Sequence, residues 1–363
     1  MAKIVMYVYG NIQTDARVKR AARTLAGKYD LILLSSDCGV GVKDEDYRNV
    51  LLKCESSGLK GYFQSVWEAL KVIKREKPDI FYAHDYYSAL LARVLMGRKH
   101  CKKIVYDAHE LIIPEAGQKN ARMTFFYKIE RSVVHKLDLL VCASVERAEL
   151  MTAHYHLAQK PLVVENISYL PKDFDLSKLP IAEELNAFFA DPAPTVVYAG
   201  VVTKSRRIGD LLDYAIQAAP SVKLLVVGKG DALAEMKEKA AGQTKLRYCF
   251  PGAVPYEALG AILQRCDVGY LYYPTDTLNN INCASNKIYE YASVGLPMVA
   301  NSNPTVKRIL EDNKIGVASD DIGAALKQAL SSLVEYKAAC ASFVTANSWE
   351  KTANSLLEHI EKL

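Results

Sequence analysis

The chain lacks any long uncharged hydrophobic segment. Nothing in it approaches the run of about 18 apolar residues that a membrane-spanning helix needs. The first apolar stretch, residues 4–9, is shorter than the hydrophobic region of a secretory signal peptide. We therefore expect neither a transmembrane helix nor an exported protein, and we predict that the chain works in the cytoplasm.

Motifs for disulfides, metals and common cofactors are also scarce. The eight cysteines are far apart and form no C-x-x-C pair, which is typical of reduced thiols. Asp173-Phe174-Asp175 has the spacing of a metal-binding D-x-D motif but lies in a proline-rich stretch. Gly228-Lys229-Gly230 lacks the third glycine of a dinucleotide fingerprint, and no P-loop or nucleic-acid-binding motif is present. The sequence therefore predicts no metal, no resident cofactor and no nucleic-acid partner.

The composition is that of an ordinary globular protein. With 363 residues, of which 50% are hydrophobic and 24% charged, the chain is long enough for two domains. Its charge is uneven, because residues 1–170 carry 26 Lys/Arg and 19 Asp/Glu, whereas residues 171–363 carry 20 and 22. The basic first half favours anionic partners such as phosphates or lipid headgroups, and a solvated basic face is the alternative.

Short apolar strands alternate with amphipathic helices along almost the whole chain. This alternation predicts two doubly wound α/β domains, each with a parallel sheet covered by helices on both faces. Four prolines interrupt the pattern within or next to residues 169–193, which we interpret as the linker between domain 1–168 and domain 194–345. In such sheets ligands bind at the carboxyl ends of the strands, so two domains in series suit an enzyme that joins two substrates.

The segment 278–300 has the most informative pattern. A polar loop ends at Ser285-Asn286, where a helix begins, and free N–H groups at a helix start together with Lys287 make a site for phosphate. Glu290 follows one turn later, and its carboxylate can accept hydrogen bonds from two neighbouring hydroxyls, as on a ribose. The alternative is a capped helix with a solvent-exposed glutamate, and spacing alone leaves both open.

The run from Ser285 to Tyr291, followed by Gly295-Leu296-Pro297, resembles the donor motif of the retaining glycosyltransferases of family 4, which have the GT-B fold. Other segments resemble that family in the same order: 78–85, 106–111, 196–212, 226–230, 250–255 and 266–270. The resemblance implies two Rossmann-like domains facing a cleft, with the C-terminal helix, 346–363, crossing back to the first domain. It also implies retaining, metal-independent transfer of a sugar from a nucleotide-diphosphate donor to a glycan or lipid-linked acceptor, in cell-surface polysaccharide or glycolipid synthesis.

The resemblance also implies roles for individual residues. The expected catalytic residues are His109, Arg207, Lys287 and Glu290. The expected donor-binding residues are Gly10, Asn11, Gly200, Arg206, Arg207, Gly230, Val254, Ser285, Asn286, Lys287, Ile288 and Glu290. The expected contacts to the sugar or the acceptor are Arg17, His84, Asp85, Asp107, His109 and Asn282.

The chain departs from the family pattern at two places. The family often has a second glutamate eight positions before Glu290, but position 282 is Asn here, which bears on the contacts to the transferred sugar. The basic residue of the phosphate loop is usually a Lys followed by Gly, whereas here it is Arg207 followed by Ile208, with Arg206 and Lys204 alongside. Since arginine can bind phosphate through two N–H groups, the function can survive this change, and either arginine fits.

The stretch 121–136 interleaves basic and aromatic residues. Such a helix can lie on an anionic membrane, or it can bury one face in the core of its domain. Two alternative functions also stay open at this point. The missing glutamate at position 282 fits a non-catalytic, glycan- or nucleotide-binding subunit, and the acids near His109 fit a sugar-nucleotide epimerase of the same fold.

Overall fold

The computed structural model describes residues 1–10, 12, 15–36, 46–54, 58–115, 120–283 and 285–363. These residues form two compact units. The first comprises Met1–Asn166 together with Trp349–Leu363, and the second comprises Ile167–Ser348. Residues 169–193, which we expected to be a linker, lie within the second unit and include a short helix.

The first unit is built on a seven-stranded parallel sheet in the order β3-β2-β1-β4-β5-β6-β7 among the described residues. Its strands are Lys3–Val8 (β1), Asp30–Ser35 (β2), Arg48–Leu51 (β3), Ile80–His84 (β4), Lys103–Ala108 (β5), Leu139–Cys142 (β6) and Leu162–Val163 (β7). Its helices are Ala16–Ala26 (α1), Gly58–Glu76 (α2), Ala89–Leu95 (α3), Ala121–Val133 (α4) and Val145–Tyr155 (α5).

The second unit is built on a six-stranded parallel sheet in the order β10-β9-β8-β11-β12-β13. Its strands are Thr195–Ala199 (β8), Lys223–Val227 (β9), Arg247–Gly252 (β10), Val268–Leu271 (β11), Met298–Ala300 (β12) and Gly316–Ala318 (β13). Its helices are Ala182–Ala190 (α6), Ile208–Ala218 (α7), Leu233–Ala241 (α8), Tyr256–Leu263 (α9), Leu278–Ile281 (α10), Asn286–Ser293 (α11), Pro304–Asp312 (α12), Ile322–Ser331 (α13) and Leu333–Ala346 (α14).

The last helix, Trp349–Glu361 (α15), packs into the core of the first unit. Leu356 and Ile360 are buried there among residues of β1 and α1. The indole of Trp349 donates a hydrogen bond to the Thr24 hydroxyl at 3.3 Å. Burying this apolar face against the first sheet is what returns the end of the chain to the first unit.

The expectation of two doubly wound α/β domains is confirmed. Each sheet is parallel, and its central strands are buried on both faces, as in Ile4–Val8 and Lys223–Val227. The edge strand β3 and the helices α5, α6, α10 and α14 were not expected from the pattern. No described helix has both the length and the hydrophobicity that crossing a bilayer requires. The seven described cysteines are all free thiols.

Candidate active site

The carboxyl ends of β4 and β5 bring a group of ionisable side chains together in the first unit. His84 pairs with Asp107 in the register of these strands, and His109 follows β5. His84 Nδ1 lies 3.1 Å from His109 Nε2, and both of these nitrogens lie within 3.6 Å of Asp107 Oδ2. His84 and Asp107 are fully buried, whereas the side chain of His109 is 15% exposed. His109 is therefore the member of this group that can reach a ligand.

Arg17 holds the Asp107 carboxylate from the start of α1. Its Nη2 lies 2.6 Å from Asp107 Oδ1, and its Nε donates to the same carboxylate at 3.1–3.2 Å. Its remaining nitrogen donates to the Val164 carbonyl and, at 2.9 Å, to the amide oxygen of Asn166. The structure thus places Arg17, which we expected to contact substrate, in a buried ion pair that supports the histidine group. Each polar atom of that pair has the partner that burial demands.

The electrostatics of this group favour a charged His109. Burial alone would raise the pKa of Asp107, but Arg17 and the two histidines together hold that pKa well below its usual range. Burial also opposes a charged His109, yet the anionic Asp107 beside it raises the pKa of His109 above the ordinary value. The pKa of His84 is lowered, chiefly by burial. The arrangement therefore offers a hydrogen-bonding, readily protonated imidazole at position 109.

The same three side chains have the spacing of a metal site. One ligand atom from each of His84, Asp107 and His109 lies within 4.8 Å of the others. A divalent cation would be held by these two nitrogens and one carboxylate oxygen. Asp107 is the only anion of the three, however, and its charge is already balanced by Arg17 at 2.6 Å. The donor set therefore fits a metal poorly, because a cation bound there would add uncompensated positive charge.

Asp85 directly follows β4 in an unusual backbone conformation. Its φ of 62° lies in a region that residues with side chains rarely adopt. Its Oδ1 is buried without a hydrogen-bond partner among the described residues. Burial raises its pKa to about 6, although His109 opposes this shift. Backbone strain and an unsatisfied carboxylate oxygen are both features of a binding site rather than of a relaxed turn.

In the second unit, the strand ends meet the start of α11. Gly200 follows β8 with φ 145°, and a side chain there would collide with the ammonium of Lys287. Gly230 follows β9, and a side chain there would collide with the backbone of Val202. Lys287 donates a hydrogen bond to the Ala199 carbonyl, and its ammonium lies 5.4 Å from the centre of the Tyr198 ring. Gly200 therefore leaves room for the Lys287 ammonium at the end of β8, and Gly230 allows two backbone segments to approach closely.

Among the described residues, no side chain caps the N-terminus of α11. Ser285 is the residue before the helix, but its side chain makes no capping hydrogen bond and is instead bonded to the Tyr273 hydroxyl. The N–H groups of Asn286, Lys287 and Ile288 are thus left without the usual side-chain cap. Burial lowers the pKa of Lys287 to about 8, although Glu290 opposes the shift. A half-buried ammonium on a residue at the uncapped start of a helix is the kind of arrangement that suits an anion.

The two adjacent arginines occupy different environments. Arg206 donates to the Tyr272 carbonyl at 2.9 Å, lies over the Tyr273 ring at 4.7 Å, and contributes to lowering the pKa of Lys287. Arg207 has a left-handed backbone, with φ 46°, and its side chain is 56% exposed in an ion pair with Asp210 at 2.7 Å. Glycine favours that backbone, so Arg207 adopts a conformation that is uncommon for a residue with a side chain.

The remaining expected residues lie on the loops and helices around these strand ends. Glu290 is half-buried on α11, with Oε1 3.4 Å from the Tyr256 hydroxyl. Val254 is half-buried after β10, and the amide of Asn282 donates to the Leu278 carbonyl at 2.8 Å. In the first unit, Gly10 has φ 155° and donates its N–H to the Ser36 hydroxyl at 3.0 Å. Asn11 lies outside the described residues.

Two functional candidates, Tyr273 and Asn301, were not identified in the sequence analysis. Tyr273 contacts both Ser285 and Arg206, which ties the loop after β11 to the start of α11. Asn301, which follows β12, bonds the N–H and the carbonyl of Tyr273 at 2.9 and 2.8 Å. Both residues stand just after sheet strands, where ligands of such folds bind, and that position is the signal that could have identified them.

Two family models match the chain and together cover about four-fifths of it. The model described as Glycosyltransferase Family 4 matches residues 15–166, within the first unit. The model described as Glycosyl transferases group 1 matches residues 193–336, within the second unit. The matches fall on the two sheets whose strand ends carry the residues described above.

Solved structures share the whole fold at low sequence identity. Sucrose-phosphate synthase from Thermosynechococcus elongatus has a TM-score of 0.71 and 16% identity, over 100% of this chain and 99% of that one. Anabaena HepE in complex with UDP and glucose has a TM-score of 0.72 and 14% identity, over all of both chains. WaaG, a glycosyltransferase involved in lipopolysaccharide biosynthesis, has a TM-score of 0.66 and 13% identity, over 97% and 98%. These likenesses confirm the expected GT-B fold. A search of curated protein sequences gave no match.

Proposed function

Because the chain belongs to the GT-B glycosyltransferases that these two family models describe, we propose a specific reaction for it. The enzyme moves a hexosyl or N-acetylhexosaminyl group from a nucleotide-diphosphate sugar to a hydroxyl of a glycan or lipid-linked acceptor. It retains the configuration of the sugar, needs no metal, and acts in the cytoplasm in cell-surface polysaccharide or glycolipid synthesis. The observation that carries this proposal is the uncapped start of α11 beside Lys287 and Arg206.

The chemistry requires stabilisation of a leaving diphosphate. As the bond to the anomeric carbon breaks, negative charge grows on the diphosphate oxygens. Lys287, Arg206 and the N–H groups at the start of α11 are positive groups held in place before the reaction, which is how a protein lowers such a barrier. The acceptor hydroxyl attacks the same face of the sugar that the diphosphate leaves, and the leaving phosphate oxygen takes its proton. No protein nucleophile is required in this scheme.

The remaining groups fit the ribose and the sugar. Glu290 stands one turn inside α11, where its carboxylate can accept hydrogen bonds from the two ribose hydroxyls. We propose that His109 donates a hydrogen bond to the transferred sugar or to the acceptor. The Asp107 carboxylate beside it stabilises the charged imidazole, and Arg17 pairs with that carboxylate. Asp85, with its unsatisfied Oδ1, would accept a hydrogen bond from an acceptor hydroxyl.

Uridine-diphosphate sugars are the first donors to test. Anabaena HepE has been solved with UDP-glucose, and a trehalose-6-phosphate structure from E. coli with UDP-2-fluoro glucose. A panel of nucleotide sugars should include one that raises the melting temperature of the purified protein, since a ligand of the native state stabilises it. The enzyme should then hydrolyse or transfer that donor. NMR of the product should show that the configuration at the anomeric carbon is retained, and EDTA should leave the activity unchanged.

Glu290→Ala and Asp210→Ala form a matched pair of variants for this test. The first should lose donor binding. The second removes a carboxylate that is paired with the exposed Arg207 in the described structure, and this variant should still bind the donor. If no nucleotide sugar shifts the melting temperature, the proposed function fails.

Asn282 favours one other function, a non-catalytic nucleotide-sugar- or glycan-binding subunit. An amide stands where the family often has a glutamate, and its nitrogen is engaged with the Leu278 carbonyl. The two functions differ in turnover: a binding subunit would be stabilised by the donor but would neither hydrolyse nor transfer it. If no turnover is seen, Asn282→Glu restores the family's acid at this position. Turnover by that variant would show that the natural chain has lost the activity, whereas no turnover would point to a missing acceptor.

A further inference from the structure

The carboxylate of Glu290 contacts a side chain from another helix of the second unit. Its Oε1 lies 3.4 Å from the hydroxyl of Tyr256, the first residue of α9. The ring of Tyr256 is exposed, and its hydroxyl also lies 3.0 Å from the Oγ of Ser168, which is buried. Oxygens from three separate segments of this unit therefore form a row that ends at the Glu290 carboxylate.

The chemistry of these oxygens gives the row a direction. An ionised carboxylate has no proton to donate, so the Tyr256 hydroxyl donates to Glu290. A hydroxyl has a single proton, so the Tyr256 oxygen accepts its second hydrogen bond from the Ser168 hydroxyl. Ser168 thus orients the Tyr256 hydroxyl as a donor toward the carboxylate.

The segment that supplies the first hydroxyl of this row is itself fixed to α9 and α11. Leu170 donates its N–H to the Ser293 hydroxyl at 3.1 Å, and that hydroxyl donates to the Glu290 carbonyl at 2.7 Å. On α9, a side chain at Gly260 would collide with the carbonyl of Pro171. Such close packing fixes the distance between the two helices on either side of the row.

We propose that Tyr256 is a positioning residue that holds the Glu290 carboxylate in the orientation that meets the two ribose hydroxyls of the donor. The last torsion of a glutamate side chain is broad, so a carboxylate without such a partner must be ordered when the nucleotide binds. A hydrogen bond made before binding removes part of that cost. A carboxylate offers about four lone-pair sites, so it can accept from a tyrosine and from two ribose hydroxyls together. This inference rests on the proposed function, in which Glu290 binds the ribose.

Titration of two nucleotides into Tyr256→Phe tests the proposal. The nucleotides are UDP and 2′,3′-dideoxy-UDP, which lacks both hydroxyls that Glu290 would bind. Tyr256→Phe should raise the Kd for UDP by about two- to tenfold, as expected for one hydrogen bond, and should leave the Kd for 2′,3′-dideoxy-UDP unchanged. A merely structural role of Tyr256, or stacking of its ring on the base, would not produce this difference between the two nucleotides.

Variants of Ser168 test the first step of the row. Ser168→Ala should raise the Kd for UDP by less than Tyr256→Phe does, and Ser168→Thr, which keeps a hydroxyl, should bind UDP more tightly than Ser168→Ala. In the Tyr256→Phe background, Ser168→Ala should cause no further loss, because the row is already broken. Additive losses would refute the role of Ser168.

Tyr336→Phe is the matched control. It removes a tyrosine hydroxyl of the same unit that accepts from the Gln328 amide, also at 3.4 Å, and it should bind both nucleotides as the unmodified chain does. Thermal melts without nucleotide show whether each variant is folded. Normal binding of UDP by Tyr256→Phe, or an equal loss of affinity for both nucleotides, would overturn the proposal. A failure of the proposed function is distinguishable, because the unmodified chain would then bind neither nucleotide, and the inference would fail with it.

Discussion

Replacing Arg206 and Arg207 one at a time tests how the second unit binds a diphosphate. We expect Arg206→Ala to weaken binding of UDP strongly and Arg207→Gly to leave it almost unchanged. The reason is that Arg206 lies close enough to Lys287 to lower its pKa, whereas Arg207 is more than half exposed and pairs with Asp210. A charge-assisted hydrogen bond is worth about 1.5–3 kcal/mol, so losing it should raise the Kd by roughly 10- to 150-fold.

The stability of Arg207→Gly follows from three opposing contributions. Relieving a left-handed backbone, here φ 46°, gains about 1–2 kcal/mol. The greater freedom of glycine in the unfolded chain costs about 0.5–1 kcal/mol. Loss of the ion pair with Asp210, three residues along α7, costs about 0.2–0.5 kcal/mol. The unfolding free energy should therefore stay within about 1 kcal/mol of the unmodified value, a change of at most a few degrees in Tm.

Isothermal titration of UDP into both variants, with thermal melts as the folding control, measures these effects. Arg206→Lys should recover part of the lost affinity, because it keeps the charge but not the two-pronged geometry of arginine. The reasoning is refuted if Arg207→Gly loses as much affinity as Arg206→Ala. It is equally refuted if Arg206→Ala binds UDP normally while remaining folded.

Three further outcomes follow from the pKa shifts and from the close packing at Gly200. The pKa of Lys287 is lowered to about 8, and a bound diphosphate favours the charged form of this lysine. The Kd for UDP should therefore rise by up to tenfold per pH unit above pH 8. Titrations of UDP at several pH values measure this dependence, and Lys287→Arg should abolish it. The pKa of Glu130 is raised to about 7, chiefly by burial, so native stability should fall as pH rises from about 4.5 to 7, by roughly 3 kcal/mol relative to Glu130→Gln in urea unfolding. Gly200→Ala should weaken nucleotide-induced stabilisation in thermal melts, because its methyl group would displace the Lys287 ammonium, while Gly97→Ala, which has open space, should not.

The fold could be predicted because most strands of these sheets are buried on both faces. Residues 4–8 have almost no exposed surface, and the resulting uninterrupted apolar run is what distinguishes a central parallel strand in a sequence. The edge strand Arg48–Leu51 has no fully buried residue, so its composition resembles that of a loop. The helix Leu333–Ala346 buries only Cys340 and Phe343, too few to produce a clear helical period.

The donor side of the site was predictable to the extent that local chemistry determines it. Lys287 and Glu290 sit at a helix start and one turn later, and that spacing is visible in the sequence. The different environments of Arg206 and Arg207 were not predictable, because they depend on the left-handed backbone of Arg207. In a sequence, only a glycine at that position would have indicated such a backbone. The side chain of Ser285 does not cap α11 but is bonded to Tyr273, and that bond was not predictable because Tyr273 lies in a loop 12 residues earlier.

The histidine group shows why Arg17 does not have the role of substrate contact that we expected for it. A carboxylate at a buried strand end, such as Asp107, requires a compensating cation, since its desolvation costs several kcal/mol. The cation that fulfils this requirement lies 90 positions away in the chain, on the helix after β1. From the sequence alone, any of the basic residues of α1 could pair with Asp107. Which of them does so is determined by the positions of β1 and β5 in the folded sheet. With Arg17 committed to Asp107, His109 is left as the member of the group that can bind a ligand.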